Sequence, residues 1–217
     1  MMPSLRTSNL TAGLFALVAA CSSPALAGET FPWNGTVKLT TDKGQTLSWT
    51  VARVGGEVVI TGTHPKWTVE HRARPDGTPL VTTRRAGKTS SKVVFSADGA
   101  SYEHTDKDGK TVTTKVDVRG LWDSDSLDAR LAGIAWTAGK KVKFSAIDTD
   151  SDDATVYPLV AEYLGLEKCA GIPCHHVRVS LDDMRRYFAP KWDFRYGTGE
   201  GAPYLQNDSD GNTFIAR

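Results

Sequence analysis

Turn-forming residues recur through the first half of the chain at intervals of about 11 residues, and this spacing limits the possible folds more than any other feature. Asp42-Lys43-Gly44, Gly55-Gly56, His64-Pro65, Pro75-Asp76-Gly77, Ala86-Gly87, Asp98-Gly99 and Asp108-Gly109 follow one another in order. The segments between them are too short for stable helices and rich in β-branched and aromatic residues. They run over 36–41, 46–54, 57–63, 66–74, 80–85, 92–96, 101–105 and 111–118. In Thr46-Leu47-Ser48-Trp49-Thr50-Val51 the odd positions are apolar and the even ones polar, so Leu47, Trp49 and Val51 share one face of a sheet. Short strands at this spacing make an antiparallel meander, whose edges must curl, close or be covered.

The period changes once. Leu127, Leu131 and Ile134 recur at helical spacing, with Asp125 placed to cap the start and Gly139 beyond the end. A helix over Asp125–Trp136 is expected to lay this stripe on the concave side of the sheet. Strand patterning resumes over 141–147 and 156–164, with a turn near Gly165, and again over 177–181. Residues 184–188 fit either a helical turn or a strand. The segments 192–196 and 212–216 read as final strands, with a turn over Asp208–Gly211. The expected fold is mainly β: a strongly curved antiparallel half-barrel with one or two covering helices, in a single domain over 28–217.

The first 27 residues read as an export signal. Arg6 precedes an apolar run from Leu10 to Ala20, Pro24 breaks it, and Ala25-Leu26-Ala27 is a small-x-small cleavage site. The run is shorter than the ~20 residues that span a bilayer. A second route stays open, because Leu17-Val18-Ala19-Ala20-Cys21 resembles a lipobox in which Cys21 would carry the lipid anchor. Both routes lead to the periplasm or cell envelope. Without Arg6 the chain holds 25 basic and 25 acidic residues, which argues against a nucleic-acid partner.

Cys169 and Cys174 are the thiols left after the leader, and a close pair in an oxidising compartment reads as a disulfide across a hairpin. Other motifs fall short of their chemistry. Cys169-x4-Cys174-His175 has too wide a gap for a cytochrome c attachment site. His64, His71 and His104 lie on separate strands, with nothing in their spacing to bring them together as zinc ligands. Asp148-x-Asp150-x-Asp152 starts like a calcium loop, but Asp153 replaces the needed glycine and Leu159 the bidentate glutamate. Thr82 replaces the first glycine of a phosphate loop ending at Gly87-Lys88-Thr89, and no nucleophile elbow occurs. Arg84-Arg85 reads as a solvated edge. The sequence assigns no catalytic, cofactor-binding or metal-ligating residue.

From Val116 onward, Gly139-Lys140-Lys141, Val160-Ala161-Glu162-Tyr163-Leu164-Gly165-Leu166-Glu167, Val177-Arg178-Val179 and Trp192-Asp193-Phe194-Arg195-Tyr196 follow in order. This series resembles a family of exported bacterial proteins of unknown function, similar in architecture to lipoprotein carriers of the LolA type. The resemblance implies a curved sheet with helices over its concave side and an apolar cavity; it carries over no catalytic residue. Trp49, Leu127, Leu131 and Ile134 are the expected lining of such a pocket. The expected function is therefore a non-catalytic envelope protein that binds a lipid, an acyl chain or a lipidated protein. An assembly protein acting through a sheet edge stays open, as does an enzyme whose acidic and histidine residues meet only in three dimensions.

Intact mass of the exported protein checks two of these expectations together. The expected chain starts at Gly28 and lacks the two hydrogens given up by a Cys169–Cys174 bridge; a lipid-bearing Cys21 terminus or two free thiols would contradict it.

Overall fold

Period-2 patterning extends through most of the chain, and the backbone follows it. The computed structural model describes residues 34–169, 171–187, 191–198, 203–207 and 213–216. The leader, Cys21 and the Asp208–Gly211 turn lie outside the described residues. The first half forms β1 (Gly35–Thr40), β2 (Thr46–Val54), β3 (Glu57–Thr63), β4 (Thr68–Ala73), β5 (Pro79–Ala86), β6 (Thr89–Ser96), β7 (Gly99–Thr105) and β8 (Thr111–Val116). All eight pair antiparallel with their sequence neighbours, and the turn signals fall at or between the strand ends.

The second half holds β9 (Leu121–Asp123), helix α1 (Leu127–Ala132), β10 (Lys141–Ile147), β11 (Val156–Cys169) and β12 (Ile172–Leu181). A 3-10 turn (Met184–Tyr187), β13 (Trp192–Gly197), β14 (Pro203–Asn207) and β15 (Thr213–Ala216) follow. β9 and β10 run parallel, joined by the crossover that contains α1; β10 to β15 make a second antiparallel meander. β15 then pairs with β1 through Leu39↔Ala216 and Thr40↔Ile215. The result is one 15-stranded sheet among the described residues, running from β8 through β1 and β15 to β9. No ladder joins β8 to β9 there. Instead Val93, Tyr102 and Val116 pack across the gap on Leu121, Ile147 and Ala154. Side chains close what hydrogen bonds leave open.

The curled sheet encloses α1. Leu127 to Leu131 are all buried, a pattern that only a helix surrounded on every side can show. Ala129 packs with Leu39, Trp49 and Ile60 of the first meander. Leu127 and Leu131 pack with Leu159, Val177 and Phe194 of the second. The expected mainly β half-barrel is therefore the observed one, with a helix inside it.

Several boundaries differ from the sequence reading, for identifiable reasons. The helix spans Leu127–Ala132 rather than Asp125–Trp136, with Ser126 at its N-cap. Its last turn tightens through Gly133 N–H to Arg130 O and Ile134 N–H to Leu131 O, and the Trp136 indole also donates to Leu131 O at 2.9 Å. Gly165 marks a bulge rather than a turn: the register shifts between Tyr163 and Gly165 and the strand runs on to Cys169. The short strands β9 and β14 carry no alternation long enough to read. Residues Met184–Tyr187 form the helical turn, in its 3-10 version.

Gly62 has a packing reason. It pairs with Trp49 on one side and Val69 on the other, and a Cβ there would lie 2.6 Å from the indole and 2.7 Å from Val69 Cγ1. The indole rests where the glycine leaves backbone bare. Gly62→Val is expected to destabilise the fold by about 1–3 kcal/mol through overpacking. Trp49→Ala is expected to cost about 3–5 kcal/mol through the cavity it leaves. Urea unfolding midpoints of the two variants measure both.

Candidate functional site

Strand parity carries charge into the interior. On β4, His71 occupies the inward register of Val69 and Ala73, and on β5 Thr82 and Arg84 do the same. Asp123 ends β9 facing them. His71 Nδ1 lies 2.7 Å from Thr82 Oγ1 and 3.0 Å from Asp123 Oδ2, and the Thr82 hydroxyl donates to the same carboxylate oxygen at 3.0 Å. From the start of α1, the Ser126 amide donates to Asp123 Oδ1 at 2.8 Å and its hydroxyl to Oδ2 at 2.6 Å. Burial pushes the Asp123 carboxyl up, but the His71 charge and the bonds from His71 and Ser126 outweigh it and hold the group at about 2.

A second layer lies beside the first. Arg84 Nη1 donates to Asp150 Oδ1 at 2.5 Å, and its Nε lies 3.5 Å from Asp125 Oδ2. Asp125 also accepts a short hydrogen bond from the Thr149 hydroxyl. Residues 148–155 link β10 to β11, and this loop crosses onto the inner wall of β5–β7. Ser91 Oγ donates to Thr149 O at 2.6 Å, and Tyr102 Oη donates a short bond to Ser151 O. Asp152 Oδ1 approaches His104 Nε2 to 3.1 Å, a charge contact without hydrogen-bond alignment. Burial drives Asp125 up to about 7 against the opposing pull of Arg84 and Thr149. Burial, with Asp125 adding to it, raises Asp128 well above the carboxylate range.

These residues were scattered in the sequence and nothing in their spacing joined them. Arg84 in particular was expected at a solvated edge and is buried instead, because it shares the inward parity of Thr82. Parity with apolar neighbours was the signal available for His71. The triplet Asp148, Asp150 and Asp152 does not converge: Asp148 Oδ1 caps the Asp150 amide, while the other two carboxylates reach different strands. Among the described residues no three His, Cys, Asp or Glu side chains form a metal-ligand group.

The expected pocket residues divide between two clusters. Trp49 packs with the first meander, while Leu127, Leu131 and Ile134 pack with the second, and all four are buried. Cys169 and Cys174 lie near the end of the β11–β12 hairpin as two buried thiols. They are diagonal rather than opposite, since Cys169 faces Ile172 and Cys174 faces Glu167. Burial and the adjoining Cys174 thiol push Cys169 up to about 12.

That hairpin outruns the ladders that flank it. Among the described residues the β10 ladder ends at Glu162 and the β13 ladder at Cys174, with Tyr163 N–H to Lys140 O and Thr198 N–H to Pro173 O just beyond them. Beyond those points Leu164, Leu166 and Ile172 are 43%, 64% and 51% exposed. Along the same stretch, His176 sits between Asp193 at 2.9 Å and Glu167 at 3.1 Å, and Arg178 holds Asp193 by two bonds. Polar and apolar side chains therefore share the far part of the hairpin.

Ser126, His71 and Asp123 are the residue types of a hydrolytic triad in a different arrangement. The serine hydroxyl donates to the carboxylate and not to the imidazole, and all three residues are sealed from solvent. A nucleophile needs its base within hydrogen-bond reach and a route to substrate. This network is a brace.

Its titration gives a signed prediction. Asp125 holds its proton more tightly in the fold, at about 7, than at its ordinary value of 3.8, so folding stability from this group falls as pH rises from about 4 to 7. Asp123 works the other way, and its contribution is lost as pH falls from about 4 towards 2. Asp125→Asn is expected to flatten the decline between pH 4 and 7 by a few kcal/mol, on the order of the shift. Urea midpoints across that range test this, and an unchanged pH profile would contradict it.

No protein-family model matches the chain, and no curated protein matches it in sequence. Among solved structures, it is similar to a β-barrel-like protein of a domain of unknown function, DUF1849, from Brucella abortus. The match has a TM-score of 0.53 at 10% sequence identity and covers 84% of this chain and 93% of that one. At that identity the likeness is one of fold: a β-barrel-like sheet built from a largely antiparallel chain.

Proposed function

We propose that the protein is an exported, non-catalytic binding protein of the cell envelope, and that it takes an apolar partner: a lipid, an acyl chain or a lipidated protein. The observation that carries this reading is the far part of the β11–β12 hairpin, where Leu164 and Leu166, past the β10 ladder, and Ile172 are exposed. Trp49 and Leu131, by contrast, are packed among other side chains, so the contact surface is assigned to the hairpin and not to the interior. A carrier of the LolA type would hold its ligand in an apolar cavity, whereas here the expected lining residues are packed. Export would also place Cys169 and Cys174 where oxidation to a disulfide is favoured. Sheet-edge assembly is a second reading, favoured by the stretch of β11 beyond Glu162 that β10 does not pair.

Co-flotation with phosphatidylcholine–phosphatidylglycerol vesicles tests the primary reading, with a palmitoylated peptide on beads as the lipidated-protein arm. Burying each of these side chains contributes about 1.5–3 kcal/mol, so Leu166→Asp with Ile172→Asp is expected to weaken binding at least about tenfold. Unchanged binding by that variant, or none by the unaltered protein in either arm, would overturn the apolar reading.

A further inference from the structure

Arg84 of β5 and His104 of β7 flank Ser90 and Ser91 of β6 around a small cleft of about 10 Å³, room for a single water. Thr149 and Asp150 of the 148–155 loop also line it. Arg84 and His104 are each only 8% exposed, yet Arg84 Nε and both ring nitrogens of His104 make no hydrogen bond. Asp150 is different in kind: its side chain is 68% exposed and reaches in only to place one carboxylate oxygen on Arg84. A buried guanidinium needs a compensating anion, whereas an exposed aspartate loses little by turning back to water.

We propose that this cleft is a binding site for a small oxyanion group, a carboxylate or a phosphate, which the Asp150 carboxylate occupies as an intramolecular stand-in. Arg84 supplies a planar pair of donors matched to either group. Ser90 and Ser91 also line the cleft, and His104 adds a buried Nδ1 that makes no hydrogen bond, while its Nε2 faces Asp152. Asp125 lies on the opposite side of Arg84, and Asp152 faces His104, so an incoming anion must displace Asp150 without adding to a free positive field. A tethered carboxylate competes at millimolar effective concentration, so the unaltered protein binds free anions weakly.

Asp150→Asn removes the stand-in and keeps the shape. The variant is expected to melt below the unaltered protein in chloride, and to regain that loss with saturable dependence on inorganic phosphate, on acetate, or on both. Its affinity for the effective anion should be about tenfold or more above that of the unaltered protein. A response to phosphate alone assigns a phosphoryl ligand, to acetate alone a carboxylate, and to both the shared oxyanion chemistry. Adding His104→Gln should abolish the gain while circular dichroism shows an intact sheet, which separates binding from folding should Arg84→Gln fail to fold. A melting response that matches chloride at equal ionic strength, or equal affinities with and without Asp150, would overturn the proposal.

Discussion

The Asp123 carboxylate is the point through which the two halves of the sheet are fastened. It stands at the end of β9, the edge strand that runs parallel to β10, and accepts from Thr82 of the first meander and from Ser126 at the start of the helix. His71 adds its charge contact from β4. An ionised carboxylate with no solvent contact is tolerated only when it is fully supplied with donors and opposite charge. Each partner comes from a different element, so the group is satisfied only when the sheet has curled and the crossover has entered it. Hydrophobic burial makes the curl favourable; this carboxylate makes it specific.

Filling follows from that constraint. A sheet of this many strands curls around more space than its own inward side chains occupy. Here the helix and the 148–155 loop take up that space, the helix with apolar residues toward both meanders and the loop with polar groups toward β5–β7. The seam between β8 and β9 is tolerable for the same reason. Val116 and Leu121 pack across it, and the loop above pins β6 and β7 to the far edge. Polar contacts with largely exposed partners, such as Asp150 and Asp152, hold the loop at its outer end. Contacts of that type are weak and screened by salt, unlike the bonds of the buried Ser91 and Tyr102 to the same loop.

The hairpin formed by β11 and β12 obeys a different logic. A cross-strand ladder runs along it, in which His176, Arg178, Asp193 and Glu167 satisfy one another. Beside it Leu164, Leu166 and Ile172 carry branched aliphatic side chains into solvent, Leu166 on the register of His175 and Ile172 on that of Cys169. The bulge at Gly165 explains how this arises. By inserting one residue it reverses the inward and outward parity, so Leu166 falls on the register of His175 while Leu164 is left unpaired.

Strand positions were legible because they depend on local chemistry. Asp-Gly and Gly-Gly pairs punctuate the chain, and alternation between them gives each segment a face; β2, β3 and β10 follow that pattern to the residue. The helix was legible from Leu127, Leu131 and Ile134, but its length was not, because the Trp136 indole and tight 3-10 bonds close it early. Only the tertiary structure could bring His71, Thr82, Arg84, Asp123 and Asp150 together. They come from β4, β5, β9 and the 148–155 loop, and no period in the sequence encodes which inward faces will meet across a curled sheet. Local periodicity sets which side of a strand is buried. Curvature and closure decide what that side is buried against, and these depend on the whole sheet at once.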